Sequence, residues 1–156
     1  MKKISVTVLV LVAALFVSAS ALYGQGKAKT GPDPSTIRDA DLEKDSLHNL
    51  EVARHYFKLK KAYVAAIKRC EEIDAGNPNF ARMDEVLYIA GESSLRLAEN
   101  RGKQKTKEKN ADELRQDARV YLSRLVAGYP NSVFNKQAAI DLEALGGPIK
   151  PEGITP

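Results

Sequence analysis

The chain has 156 residues, 44% of them hydrophobic and 28% charged, which is enough for one modest core and leaves no room for a second domain of ordinary size. The formal net charge is +4, but Lys2 and Lys3 fall in an N-terminal leader, so the mature chain stands near neutral at +2 and gives no electrostatic reason to expect nucleic-acid binding. Its single cysteine, Cys70, excludes an intramolecular disulfide framework, so stability has to come from packing.

Residues 1–21 read as a secretory signal peptide: Lys2-Lys3 precede an apolar run over residues 6–17, and Ala19-Ser20-Ala21 supplies a small-x-small cleavage site. The run is shorter than the roughly 20 residues of a spanning helix. Cleavage after Ala21 is therefore expected over retention as an anchor. With no cysteine near that site, no lipid anchor is expected; the predicted location is the periplasm, with any attachment to the outer membrane made through a partner. Residues 22–36, rich in Gly, Pro and small polar types, read as a flexible tether.

A helical domain is predicted over residues 37–146. From about Asp41 the residues Leu42, Ser46, Leu50, Ala53 and Phe57 recur at three or four places, as on one helical face, and Asp39 and Asp41 suit the exposed N–H groups at its start. A basic turn at Lys60-Lys61 follows. The next helix carries Ala66, Ile67, Cys70 and Ile73 on one stripe, and Pro78 stops it. This is a tetratricopeptide-like pattern, in which small residues let paired helices approach closely and a proline closes each unit.

The unit recurs. A shift of 38 lays Leu50, Ala53, Phe57 and Leu59 over Tyr88, Gly91, Leu95 and Leu97, and a shift of 52 lays Ala66, Cys70, Ile73 and Pro78 over Ala118, Leu122, Leu125 and Pro130. The difference of 14 marks an insertion in the second unit's turn, where residues 100–110 are polar and without apolar period. Asn110 with Glu113 predicts a capping box for a helix running to about Gly128. Ser132 is expected to cap a fifth helix carrying Phe134, Ala138, Ala139, Leu142 and Leu145, which Gly146-Gly147-Pro148 ends, leaving 147–156 as an extended tail. The predicted fold is all-α: a helical-repeat solenoid of two helix pairs plus a closing helix.

Three blocks carry a family resemblance: Ala53-x-x-Tyr56-Phe57 with Tyr63-x-x-Ala66-Ile67-x-Arg69 and Pro78; Asp84-Glu85-x-Leu87-Tyr88-x-x-Gly91-Glu92-Ser93; and Ala118-x-x-Tyr121-Leu122-x-x-Leu125-Val126-x-x-Tyr129-Pro130-Asn131-Ser132-x-Phe134. Over residues 42–145 the chain resembles the BamD/ComL family of outer-membrane β-barrel assembly. The resemblance implies a periplasmic helical-repeat component that binds partner subunits and unfolded outer-membrane proteins without catalysis. Members of that family are typically lipid-anchored through an N-terminal cysteine and carry about five repeats, whereas this chain has neither that cysteine nor more than roughly two repeats. Two alternatives stay open: a scaffold for a secretion or peptidoglycan-linked complex, and a structural repeat protein that self-associates.

In such repeats the first helix of each pair lines the concave face, so residues one and five places after the small residue point into it. These are Arg54 and Lys58, then Glu92 and Arg96, with Tyr88 as an aromatic wall. The resulting mixed-charge groove suits a peptide segment; ordinary solvated helix positions are the alternative. The insertion sets Arg101, Lys103, Lys105, Lys107 and Lys109 against Glu108, as a solvated loop or as a contact for an anionic surface such as lipid head groups or an acidic partner. His48 and His55 are seven residues apart on one helix, too far for one zinc, which needs neighbours at i and i+4, so no metal site is predicted. Cys70 falls on an apolar stripe without a base, as a core residue and not a nucleophile. No residue set points to catalysis or to a cofactor.

Overall fold

The protein is described by a computed structural model over residues 39–149. The signal peptide and tether expected over 1–21 and 22–36, and residues 150–156 of the tail, lie outside the described residues. Asp39 starts the first helix, α1 (Ala40–Arg54): its carboxylate accepts hydrogen bonds from the backbone N–H of Asp41 at 2.8 Å and of Leu42 at 3.3 Å. These occupy donors that the first turn leaves open, and Asp41 and Glu43 add negative charge at the positive end of the dipole. Ser46, Leu50 and Ala53 face inward as the spacing predicts, while Leu42 is 44% exposed.

The first helix does not end in a simple basic turn. It widens into a π-helical segment, His55–Lys60, closed by Lys61 in the left-handed region (φ 52°) and by the Ala62 N–H donating to the Tyr56 carbonyl at 3.0 Å. The wider turn keeps Phe57 in the core, its ring 5.9 Å from that of Tyr63. It also turns Leu59 outward to 69% exposure, whereas Leu97, its counterpart by the 38-residue shift, is buried.

Helix α2 (Tyr63–Gly76) buries Tyr63, Ala66, Cys70 and Ile73. The turn after it is anchored to α1: the Asn77 amide donates to Glu43 and to Ser46, both at 3.2 Å, and the Ala81 N–H donates to Glu43. Helix α3 (Met83–Ala98) is the centre of the domain, packing against α2 before it and α4 after it and touching α1. That is why a sequence with an expected one-sided stripe is buried nearly all round, Glu85, Glu92, Ser93 and Ser94 included. Asn100, left-handed at φ 57°, closes it, with Asn100 N–H donating to the Leu97 carbonyl and Arg101 N–H to that of Arg96.

The insertion, residues 101–110, has no regular secondary structure. Helix α4 (Ala111–Gly128) starts with the predicted capping box: Asn110 accepts from the N–H groups of Asp112 and Glu113, and Glu113 accepts from the Asn110 N–H at 2.7 Å. Helix α5 (Asn135–Ala144) begins two residues later than expected. Ser132 is not its cap; the hydroxyl accepts from the Phe134 N–H and donates to Asp84, tying the turn to the start of α3. Gly146 and Gly147, with φ of 95° and 85°, end the helix. Residues 147–149 do not run free as a tail: the Arg119 guanidinium donates to the Gly147 carbonyl at 3.0 Å and the Ile149 N–H to Ser123 at 2.9 Å.

The described residues are thus all-helical, with five helices and no strand, each helix packing on the next. Helices α3 and α4 approach tightly at Gly91, where an added Cβ would stand 2.7 Å from the Leu122 side chain, itself fully buried. Gly91→Ala should therefore destabilise the fold by about 1–3 kcal/mol through overpacking. Gly76→Ala, where nothing lies within 4 Å, should leave stability unchanged or raise it by about 0.4–1 kcal/mol. Urea unfolding of the two variants checks this; equal effects would mean that the Gly91 contact is not a tight one.

Candidate functional site

Positions 85, 88, 92 and 96 of α3 fall on one side of the helix by their three- and four-residue spacing. Each meets a side chain from α1, from the π-helical segment, from α5 or from the residue just before it. Glu85 sits at the α1 side with its side chain 8% exposed and is gripped by Arg54 in a two-pronged pair, Nε to Oε1 at 2.6 Å and the terminal nitrogen to Oε2 at 2.7 Å, with Arg82 adding a contact at 2.9 Å. Burial alone would raise the Glu85 pKa; the hydrogen bonds and charge of Arg54, then the charges of Arg82 and Lys58, outweigh it and hold the carboxyl below its ordinary range. The Arg54 guanidinium is correspondingly raised by its hydrogen bond to Glu85.

On the other side, the Tyr88 ring stacks on Phe134, just before α5, at 4.7 Å between centroids and 19° between planes. Burial, then the charges of Glu92 and Asp141, push its hydroxyl pKa up. One turn on, Glu92 is buried and meets Asp141 of α5. Burial, and then the hydrogen bond to Asp141, raise the Glu92 pKa despite the Arg96 guanidinium 2.7 Å away. Arg96 in turn lies 4.4 Å above the Phe57 ring and 5.7 Å from that of Tyr63. Two polar atoms of this face, Arg96 Nε and Asp141 Oδ2, are buried with no hydrogen-bond partner among the described residues.

Of the five residues expected in a groove, the structure brings together Arg54, Tyr88, Glu92 and Arg96 along one face of α3. They are largely paired with other side chains. Lys58 stands apart, exposed on the π-helical segment, and its charge reaches Glu85 without an ion pair. The partners Glu85, Phe134 and Asp141 were not singled out as site residues. Glu85 carried a signal, since it lies seven residues before Glu92 and so on the same helical face; Asp141 carried none, because its role depends on how α5 meets α3.

The basic insertion divides in two. Arg101 pairs with Glu99 at 3.1 Å and Lys109 with Asp117, whose hydrogen bond raises the lysine pKa. Lys103, Lys105 and Lys107 are exposed and make no ion pair among the described residues. The loop roofs a cavity of about 140 Å³ floored by Leu97, Ala98, Ala111 and Leu114. His48 and His55 are both exposed. Cys70 is 1% exposed, and burial, with the neighbouring carboxylates Glu71 and Asp74 adding to it, pushes its thiol pKa far up, which leaves little nucleophilic thiolate.

No family model, curated protein or solved structure matches the chain.

Two measurements follow from this geometry. Because the Glu85 pKa is depressed on folding, its charge contributes stability that is present above the unfolded carboxylate value of about 4.3 and is lost as pH falls through the lower folded value. Glu85→Gln should cost about 2 kcal/mol at about pH 7, and the gap to the native chain should shrink by about pH 3; denaturant titrations that show the same gap at both pH values contradict the pairing. A thiol reagent should label Cys70 far more slowly in the folded protein than in denaturant, and equal rates would show the sulfur to be accessible.

Proposed function

We propose that the helices of residues 39–149 form a short tetratricopeptide-like solenoid, two helix pairs and a closing helix, that works without catalysis as a periplasmic protein-binding adaptor in outer-membrane protein assembly. The observation that carries this reading is the side of α3 bearing Glu85, Tyr88, Glu92 and Arg96, where charged and aromatic groups from three parts of the chain converge. Such a surface orients a peptide through its charges and buries it against ring faces.

The repeat reading draws support from the small residues at equivalent places, Ala53 and Ala66 in the first unit and Gly91 and Ala118 in the second, all buried. The envelope context rests on the resemblance to the BamD/ComL family at Gly91-Glu92-Ser93 and Tyr129-Pro130-Asn131-Ser132, and on the predicted export signal. Within these segments Gly91 makes the tight approach to Leu122, Ser93 is fully buried, and Ser132 ties two helices together. A second reading, self-association through the last helix, is favoured by Val133 and Ile140, which are 87% and 53% exposed.

Affinity capture from a solubilised envelope fraction separates these. The native chain should retain barrel-assembly subunits or unfolded outer-membrane proteins, and Arg96→Gln, with its helical circular dichroism intact, should retain about tenfold less. Equal recovery on both, or recovery only of secretion or peptidoglycan-linked proteins, contradicts the assignment. Light scattering that shows only self-association favours the second reading.

A further inference from the structure

The two helix pairs turn at the same end of the domain. The first turn is the π-helical segment with Lys61; the second is the insertion, and the Lys103 N–H donates to the Lys61 carbonyl at 3.1 Å, so the two loops lie side by side. Gly102 sits so close to the Tyr63 ring that a Cβ there would stand 2.9 Å from it, which fixes the insertion against the start of α2. This juxtaposition gathers Lys60, Lys61, Lys103, Lys105 and Lys107, all exposed and none in an ion pair among the described residues. The acidic group nearest in sequence before the insertion, Glu99, is taken up by Arg101, which leaves Glu108 as the loop's own counter-charge. Among these lysines stands Leu59, 69% exposed.

Each feature alone is ordinary. Together they have a chemical direction: five cations without anionic partners would favour any polyanion, but an exposed leucine placed among them by a π-helical turn has no use on a purely ionic partner. A bilayer surface with anionic head groups uses both, taking the ammonium groups at phosphate level and the leucine at the acyl boundary. A π-helical turn is an uncommon local geometry that recurs at functional sites, and here its effect is to expose a side chain that the equivalent position of the second unit buries.

We propose that this end of the domain, Leu59 with Lys60, Lys61, Lys103, Lys105 and Lys107, docks on an anionic lipid bilayer. The patch shares no residue with the proposed binding face of Glu85, Tyr88, Glu92 and Arg96.

The sequence has no tryptophan, so an introduced one reports its own position even in the full chain, whose apolar leader is free to bind vesicles of any kind. Leu59→Trp should shift its emission to the blue on vesicles of phosphatidylglycerol and phosphatidylcholine and not on phosphatidylcholine alone. Val133→Trp, at an 87% exposed position outside the patch, should keep a water-like emission on both. Each lysine near an anionic surface is worth about fivefold in partition, so adding Lys103→Gln, Lys105→Gln and Lys107→Gln should weaken docking on the order of a hundredfold and remove the shift. Lys44→Gln with Lys136→Gln should leave it in place. Salt at about 1 M, where the screening length is about 3 Å, should also remove it. The proposal is overturned if the Leu59→Trp emission stays water-like on the anionic vesicles, or if both tryptophan variants shift alike. A shift with soluble polyglutamate and none with vesicles also overturns it, in favour of an acidic protein partner.

Discussion

Glu85 is a carboxylate inside a helical domain, with its side chain 8% exposed, and much of the arrangement around it follows from what such a group requires. A charge there is tolerated only if it is paired in good geometry, since an ion stripped of water without a partner costs several kcal/mol. Arg54 meets that need with both prongs of its guanidinium, which demands that the last turn of α1 face the first turns of α3 in one register. With α1 so placed, the π-helical segment that follows carries Phe57 under Arg96, and the ring face receives the guanidinium at 4.4 Å. The pair therefore links α1 to the start of α3, and the cation–ring contact links the π-helical segment to α3 near its end.

The α5 side is built differently. Tyr88 stacks on Phe134, and Glu92 meets Asp141 of α5. Burial and Asp141 hold the Glu92 pKa above its ordinary range, whereas Arg54 outweighs burial and holds that of Glu85 below it. The proposed lipid-facing end lies elsewhere, at the turns, where α1 and the insertion meet.

Much of the helical pattern was legible in the sequence because it is local. Asp39, the Asn110–Glu113 box and the stop that Pro78 sets for α2 each act within a few residues, and each helix end stands at or just before the place expected. The misplacements have one physical origin, which is that side chains serve distant partners. Ser132 looks like a cap but is drawn to Asp84, so α5 starts later. Residues 147–149 look like a tail but satisfy Arg119 and Ser123. Leu59 keeps the apolar register on paper, and a one-residue widening of the helix rotates it out. For the site, spacing from the small residue of each unit grouped Arg54 and Lys58 with Glu92 and Arg96, with Tyr88 as a wall, but it treated them as free groove residues. That most of them are paired depends on Glu85, Phe57, Phe134 and Asp141, whose proximity only the packing of α1 and α5 on α3 creates.

The account stands on the Arg54–Glu85 junction, and a double-mutant cycle addresses it most directly. Arg54→Met, Glu85→Leu and the double variant, unfolded in urea at neutral pH, give the coupling between the two side chains free of their separate effects. A buried, two-pronged pair predicts a coupling of about 1.5–3 kcal/mol, with the double variant more stable than the worse of the two singles. A coupling indistinguishable from zero would mean that α1 and α3 are not joined through this pair, and the register of the whole face would have to rest on something else.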